Sequence, residues 1–208
     1  MKAFRTPIAA VTNQVFLCGV GCINTENLKN KGISHVLNTA EELEDFKYPD
    51  LNLQVRHILM RDSPDQDLLK FLDICIDHIN DVQQAGGHIL VHCVAGVSRS
   101  ASVCIAYLMK YKRMSLHKAY YHIFNKRPCI HPNFGFWRQL VQFEIDLTGE
   151  SSVELLPFIL GEVPDIMKRD AEYRIKMAWM PDLISMFSIH FIILFMQILS
   201  LYFLDNAE

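Results

Sequence analysis

No surplus of basic charge marks this sequence: 20 Lys and Arg stand against 23 Asp and Glu, a formal charge of −3 at neutral pH. A chain without that surplus is not built around nucleic acid, whose phosphates must be met by many Lys and Arg. The N-terminal region lacks the apolar run of a secretory leader. The six cysteines show no paired spacing, so no disulfide framework is expected. A reducing compartment follows as the expectation. Internal repeats and low-complexity tracts are also absent, which excludes solenoids and flexible arrays. The 208 residues suffice for one domain with its own core plus an appendage.

What is present centres on Val91-His92-Cys93-Val94-Ala95-Gly96-Val97-Ser98-Arg99-Ser100. An apolar run from His88 to Val91 enters it, and an apolar-periodic segment from Ala101 to Tyr111 leaves it. That pattern predicts a strand, a tight loop and a helix. Such a loop turns its amide groups and the positive end of the helix dipole toward one spot. With Cys93 and Arg99 at its ends, it suits a phosphate dianion held under a sulfur nucleophile. Thiol pKa values near 8.5 fall at helix N-termini and beside cations, so Cys93 is the expected thiolate. A buried structural cysteine is one alternative. Metal binding by His88, His92 and Cys93 is another, but no second cluster supplies the missing ligands.

The stretch resembles the His-Cys-x5-Arg-Ser signature of cysteine-dependent protein phosphatases, and Ala-Gly-x-Ser-Arg-Ser is similar to the dual-specificity branch. Further matching text stands at Val36-Leu37-Asn38, Ala106-Tyr107-Leu108-Met109, Arg127-Pro128 and Pro132-Asn133-Phe134-Gly135-Phe136-Trp137. The Gly-Phe-Trp-Arg-Gln-Leu run resembles the small atypical members, the subgroup of dual specificity protein phosphatases 14, 18 and 21. The resemblance covers about residues 12–150. It implies hydrolysis of phosphotyrosine and phosphoserine or phosphothreonine through a phosphocysteine, with no metal and no organic cofactor. The implied partners are phosphoproteins, including kinases of signalling cascades.

Taken in order, residues 1–13 read as an arm, 14–150 as the catalytic domain, 151–182 as a linker and 183–204 as an apolar helix. Strands are expected at Val15 to Gly19, Ile33 to Asn38, Gln54 to Met60 and His88 to His92. Ser63, Pro64 and Gln66 have the spacing of a capping box, which predicts a helix from Ser63 to the Gly86-Gly87 stop. Later helices are expected from Ser100 to Arg113, from Ser115 to before Pro128, and from Phe134 to Leu147 with Gly149 as the stop. Strands in alternation followed by helices indicate an α/β domain, a central mostly parallel sheet flanked by helices. The run Glu41, Glu42, Glu44 and Asp45 reads as a solvated loop.

The chemistry also needs an acid to protonate the departing oxygen. Asp62 lies 31 residues before Cys93, between a strand and a helix, where the resembling enzymes carry theirs. Asp65 and Asp67 are rivals, though carboxylates in a first helical turn serve the dipole equally well. Arg99 presents a planar fork to two phosphate oxygens. Val94, Ala95, Gly96, Val97 and Ser98 offer mainly amides to the phosphate. The resemblance implies that Ser100 hydrogen-bonds the sulfur. His92 reads as a brace of the loop backbone, and Asn133 as the family's supporting asparagine or as a cap of the last helix. Phosphoinositide phosphatases, sulfurtransferases and a phosphoprotein-binding adaptor remain alternatives. The first usually carry loop lysines, and none occurs here.

Leu183 to Leu204 contains no Asp, Glu, Lys or Arg in 22 residues. As a helix it would span about 33 Å, against a hydrocarbon core of about 30 Å. It predicts a membrane anchor with Arg174 and Lys176 on the cytoplasmic side beside the catalytic domain. A core helix of the domain and a soluble protein are the alternatives. The anchor predicts that the full chain resists carbonate extraction from membranes, whereas a chain ending at Pro181 is soluble. Full-length protein found monodisperse in the soluble fraction would refute it.

Overall fold

A computed structural model describes residues 7–158 and 161–166 of the chain. Leu183 to Leu204 lies outside those residues, and among the described residues no helix is long and apolar enough to cross a membrane. The appended apolar helix therefore has no structural support.

Five strands form one sheet: β1 (Ala9–Ala10), β2 (Val15–Gly19), β3 (His35–Ala40), β4 (Gln54–Met60) and β5 (Ile89–Cys93), in the order β1-β2-β5-β3-β4. The pairings β2–β5, β5–β3 and β3–β4 are parallel, and β1 runs antiparallel along β2. The sheet is therefore mixed, with a parallel centre and one antiparallel edge strand. β5 is buried at every position, as expected for an apolar strand covered on both faces.

Five helices accompany the sheet: α1 (Thr25–Asn30), α2 (Leu69–Gln84), α3 (Arg99–Lys112), α4 (Leu116–Phe124) and α5 (Phe134–Thr148). α3 is buried from Arg99 through Met109 and packs on β5, β2 and β3, with α2, α4 and α5 around it. The opposite face of the sheet, carrying Phe16, Cys18, Val36 and Leu90, packs on Leu28 of α1 and on Tyr48, Leu51 and Leu53 of the loop before β4. Strand alternation thus sends neighbouring residues of β5 to different surroundings. The loop after β5 leaves the carboxyl end of this central strand, where open α/β sheets place their ligands.

The capping box expected at Ser63 does not start a helix. Ser63 Oγ donates to Asp65 rather than accepting from a backbone N–H, and Gln66 Oε1 accepts from the N–H of Arg61 at 3.1 Å. α2 begins six residues later, where Asp67 Oδ1 accepts from the N–H of Lys70 at 3.1 Å. The later helices lie close to their expected positions. Ser115 Oγ caps α4 by accepting from Lys118, and Gly149 ends α5 at φ 88°.

In the span read as linker, β6 (Leu155–Phe158) and β7 (Gly161–Pro164) pair antiparallel. The turn before them is tied to α5 by the buried carboxylate of Glu144. Its Oε1 accepts from the N–H of Leu116 at 2.6 Å, and its Oε2 from the N–H of Ser152 at 2.7 Å and from Ser151 Oγ at 3.0 Å. Removing that carboxylate leaves the buried N–H of Leu116 and the partly buried donors of Ser151 and Ser152 unpaired. Glu144→Ala is expected to destabilise the domain by about 3 kcal/mol in urea unfolding, and a loss under about 0.5 kcal/mol would show the contacts to be replaceable.

Candidate active site

The loop after β5 is shaped from outside. Each carbonyl from Val94 to Ser98 is taken by a donor beyond the loop. Val94 O accepts from the N–H of Val20 at 3.0 Å, Val97 O from the N–H of His131 at 2.8 Å, and Ser98 O from the N–H of Ser102 at 2.8 Å. The buried guanidinium of Arg127 takes the other two, Nη2 donating to Ala95 O at 2.9 Å and Nε to Gly96 O at 2.8 Å. In a trans peptide the N–H opposes the C=O, so the amides of Ala95 through Arg99 are turned to the other side. One of them, Gly96 N–H, reaches Cys93 Sγ at 3.2 Å. Gly96 itself has φ +65°, and a Cβ there would stand 2.3 Å from the backbone of Cys18. No larger residue fits that crossing.

Cys93 is buried at the end of β5 and also accepts from Ser100 Oγ at 3.2 Å. Arg99, at the first turn of α3, is buried as well. Its Nη1 donates to Glu42 Oε2 at 2.5 Å and to Met60 O at 2.8 Å, and its Nη2 to Glu42 Oε1 at 3.2 Å. The third face, Nε, makes no hydrogen bond and lies 3.8 Å from Asp62 Oδ2. Glu42 is exposed, as the acidic run predicts, and its carboxylate also orients the fork. The short 3-10 turn Glu41–Leu43 lifts it there, and Arg99's hydrogen bonds hold its carboxyl below the usual carboxylate range.

Asp62 stands over this loop. Its Oδ1 accepts from Ser98 Oγ at 2.7 Å and from Asn133 Nδ2 at 2.9 Å. Asn133 Oδ1 also caps α5, accepting from the N–H of Phe136 at 2.9 Å. Asp65 and Asp67 are engaged elsewhere. Asp65 pairs with Ser63 and, at 3.7 Å, with Arg61, while Asp67 caps α2.

His92 faces the other side of the sheet. Its Nδ1 lies 3.2 Å from Cys93 O, which can only accept, so Nδ1 carries the proton. Nε2 then accepts from Tyr48 O–H at 2.7 Å. Tyr48 and Phe46 wall the imidazole with ring centroids at 5.7 and 6.3 Å. Burial pushes His92 down to about 4, against the opposing pull of the Cys93 carbonyl. Burial raises the Cys18 and Cys104 thiols, and Cys75 to about 12.

Sequence reasoning missed Glu42 and Tyr48 and assigned no role to Arg127 or Gln139. Arg127 and Gln139 stood inside the matching text, at Arg-Pro and at Arg-Gln-Leu. Glu42 sat in an ordinary acidic run, and no local pattern distinguishes Tyr48.

Comparison with known proteins follows the same line. The model of the dual specificity phosphatase catalytic domain matches residues 15–146. Dual specificity protein phosphatase 18 of Pongo abelii is 37% identical over 179 residues, 84% of this chain and 94% of its own. Dual specificity protein phosphatase 14 of Homo sapiens is 38% identical over 168 residues, 80% of this chain and 83% of its own. A mouse putative dual specificity phosphatase, solved in complex with zinc tungstate, superposes with a TM-score of 0.65 at 32% identity, covering 69% of this chain and 90% of that one.

His92 makes stability depend on pH. The unfolded imidazole takes its proton near 6.5, whereas the folded one resists until about 4. The unfolded state thus binds more protons between those values, and stability falls as pH drops through that window, by on the order of 3 kcal/mol. Urea unfolding of the parent should weaken from pH 6.5 to pH 4, and His92→Asn should show a shallower slope. Identical slopes would remove His92 as the cause.

Proposed function

The chain belongs to the dual specificity phosphatase family and is a protein phosphatase, and from that premise we propose that Cys93, Arg99, Asp62 and Ser100 carry its reaction. The observation that supports this most directly is the set of groups round one sulfur. Cys93 Sγ accepts from a loop amide and from Ser100, and beside it Arg99 keeps a buried Nε–H without a hydrogen bond. A phosphate dianion placed over the sulfur meets the amides of residues 95–99 and the guanidinium.

Sγ attacks phosphorus as a thiolate, forming the S–P bond while the P–O ester bond breaks. Asp62, as the carboxylic acid, gives its proton to the departing seryl, threonyl or tyrosyl oxygen. As carboxylate it then takes a proton from the water that attacks the phosphocysteine, and inorganic phosphate leaves. Ser100 donates to the sulfur as the S–P bond breaks, when negative charge returns there. His92 holds the loop through the Cys93 carbonyl, and Asn133 and Ser98 aim Asp62.

The substrates are phosphoproteins. Phosphorylated kinases of signalling cascades are the proposed targets, and the composition of Leu183 to Leu204 supports a proposed tail anchor that keeps the domain cytoplasmic.

Cys93→Ser is expected to lower turnover of phosphopeptides more than a thousandfold, roughly, because a hydroxyl ionises far less readily than a thiol. It should still bind them. Acid-quenched parent enzyme should carry phosphate on the Cys93 peptide in mass spectrometry. Turnover by the variant within about tenfold of the parent would exclude Cys93 as nucleophile.

A further inference from the structure

The general-acid segment, residues 61–68, has no regular structure and only one buried side chain, Leu68. Apolar burial therefore does little to fix where Asp62 stands, and polar contacts must do it. These come from α5. Asn133 grips the carboxylate itself, while the other end of the segment is held by Gln139.

Gln139 uses both ends of its amide. Oε1 accepts from the N–H groups of Leu68 at 2.5 Å and Leu69 at 3.1 Å. Nε2 donates to Gln66 O at 2.8 Å and, one turn back on its own helix, to Gly135 O at 3.2 Å. One side chain thus closes the start of α2 and the end of the acid segment against α5. Gly135 lets the two elements meet, because a Cβ there would stand 1.9 Å from Pro64 O.

We propose that Gln139 is a positioning residue for the reaction, seating the 61–68 segment on α5 so that the Asp62 carboxyl stays within reach of the leaving oxygen. The proposal rests on Asp62 as the general acid. A shift of about 1 Å at such a group can cost about a hundredfold in rate. A residue that only capped α2 would affect stability, and all substrates alike.

The test compares kcat/KM on phenyl phosphate, whose leaving group needs a proton, with that on a difluorinated umbelliferyl phosphate, whose leaving group needs little. Gln139→Ala is expected to lose about 10–100-fold on phenyl phosphate and under about threefold on the fluorinated ester. Gln139→Glu keeps an acceptor for Leu68 and Leu69 but loses the donor to Gln66. It should show the same selective loss, and it carries the test if the alanine variant does not fold. In an Asp62→Asn background the Gln139 substitution should have no further effect on phenyl phosphate. Equal losses on both esters, or a loss that persists in that background, would overturn the proposal while leaving Asp62 as the acid. Asp62→Asn losing equally on both esters would instead remove Asp62 as the acid, and the Gln139 proposal would fall with it.

Discussion

The constraint on which the site depends is the outward fixing of five consecutive carbonyls. A loop of that length, left to itself, would offer water a mixture of donors and acceptors. Here each acceptor from Val94 to Ser98 is satisfied from behind, by Val20, Arg127, His131 and Ser102. The donors are left for the front by the geometry of the peptide bond. An anion site made this way needs no rearrangement when the ligand arrives, the condition under which fixed dipoles contribute most. Arg127 takes two of these five carbonyls, more than any other donor residue. Its Nη1 extends the brace to Pro7 O at 3.1 Å, linking the arm before β1 to the loop.

Two cations therefore divide one task. Arg127 is committed to backbone carbonyls, and Arg99 to the carboxylate of Glu42 and the carbonyl of Met60. Both are buried, and a buried guanidinium must be paired to be tolerated. The pairing of Arg99 has a second effect. It leaves only the Nε edge open toward Asp62, so the direction of the available donor is set before any substrate binds.

The contacts that could be read from the sequence are those close together along the chain. β5, the loop and α3 occupy one continuous stretch, and their periodicity and residue order point to an anion site without further help. Helix ends set by a neighbouring side chain, such as Ser115 on α4 and Asn133 on α5, were legible for the same reason. The start of α2 was not. Ser63 and Gln66 had the right spacing, yet the cap comes partly from Gln139, 71 residues away. Glu42 and Arg99 are 57 residues apart, and Tyr48 and His92 are 44 apart. Nothing local distinguishes those partners from surface residues, because what selects them is the parallel pairing of β3 beside β5.

That pairing also explains why one dipeptide can serve two chemistries. His92 and Cys93 are neighbours, but strand alternation sends them to opposite faces. On one face the imidazole is walled by Phe46 and Tyr48, held neutral by burial, and fixed in one tautomer by a carbonyl. On the other, the sulfur sits at the start of α3 among donors. A protonated His92 would add positive charge beside the sulfur but would also need a second acceptor in place of the Tyr48 donor. The arrangement instead keeps the positive influence on Cys93 confined to the loop amides, the helix terminus and Arg99. In the proposed reaction all three lie on the side from which the phosphate approaches, opposite the face that holds the imidazole.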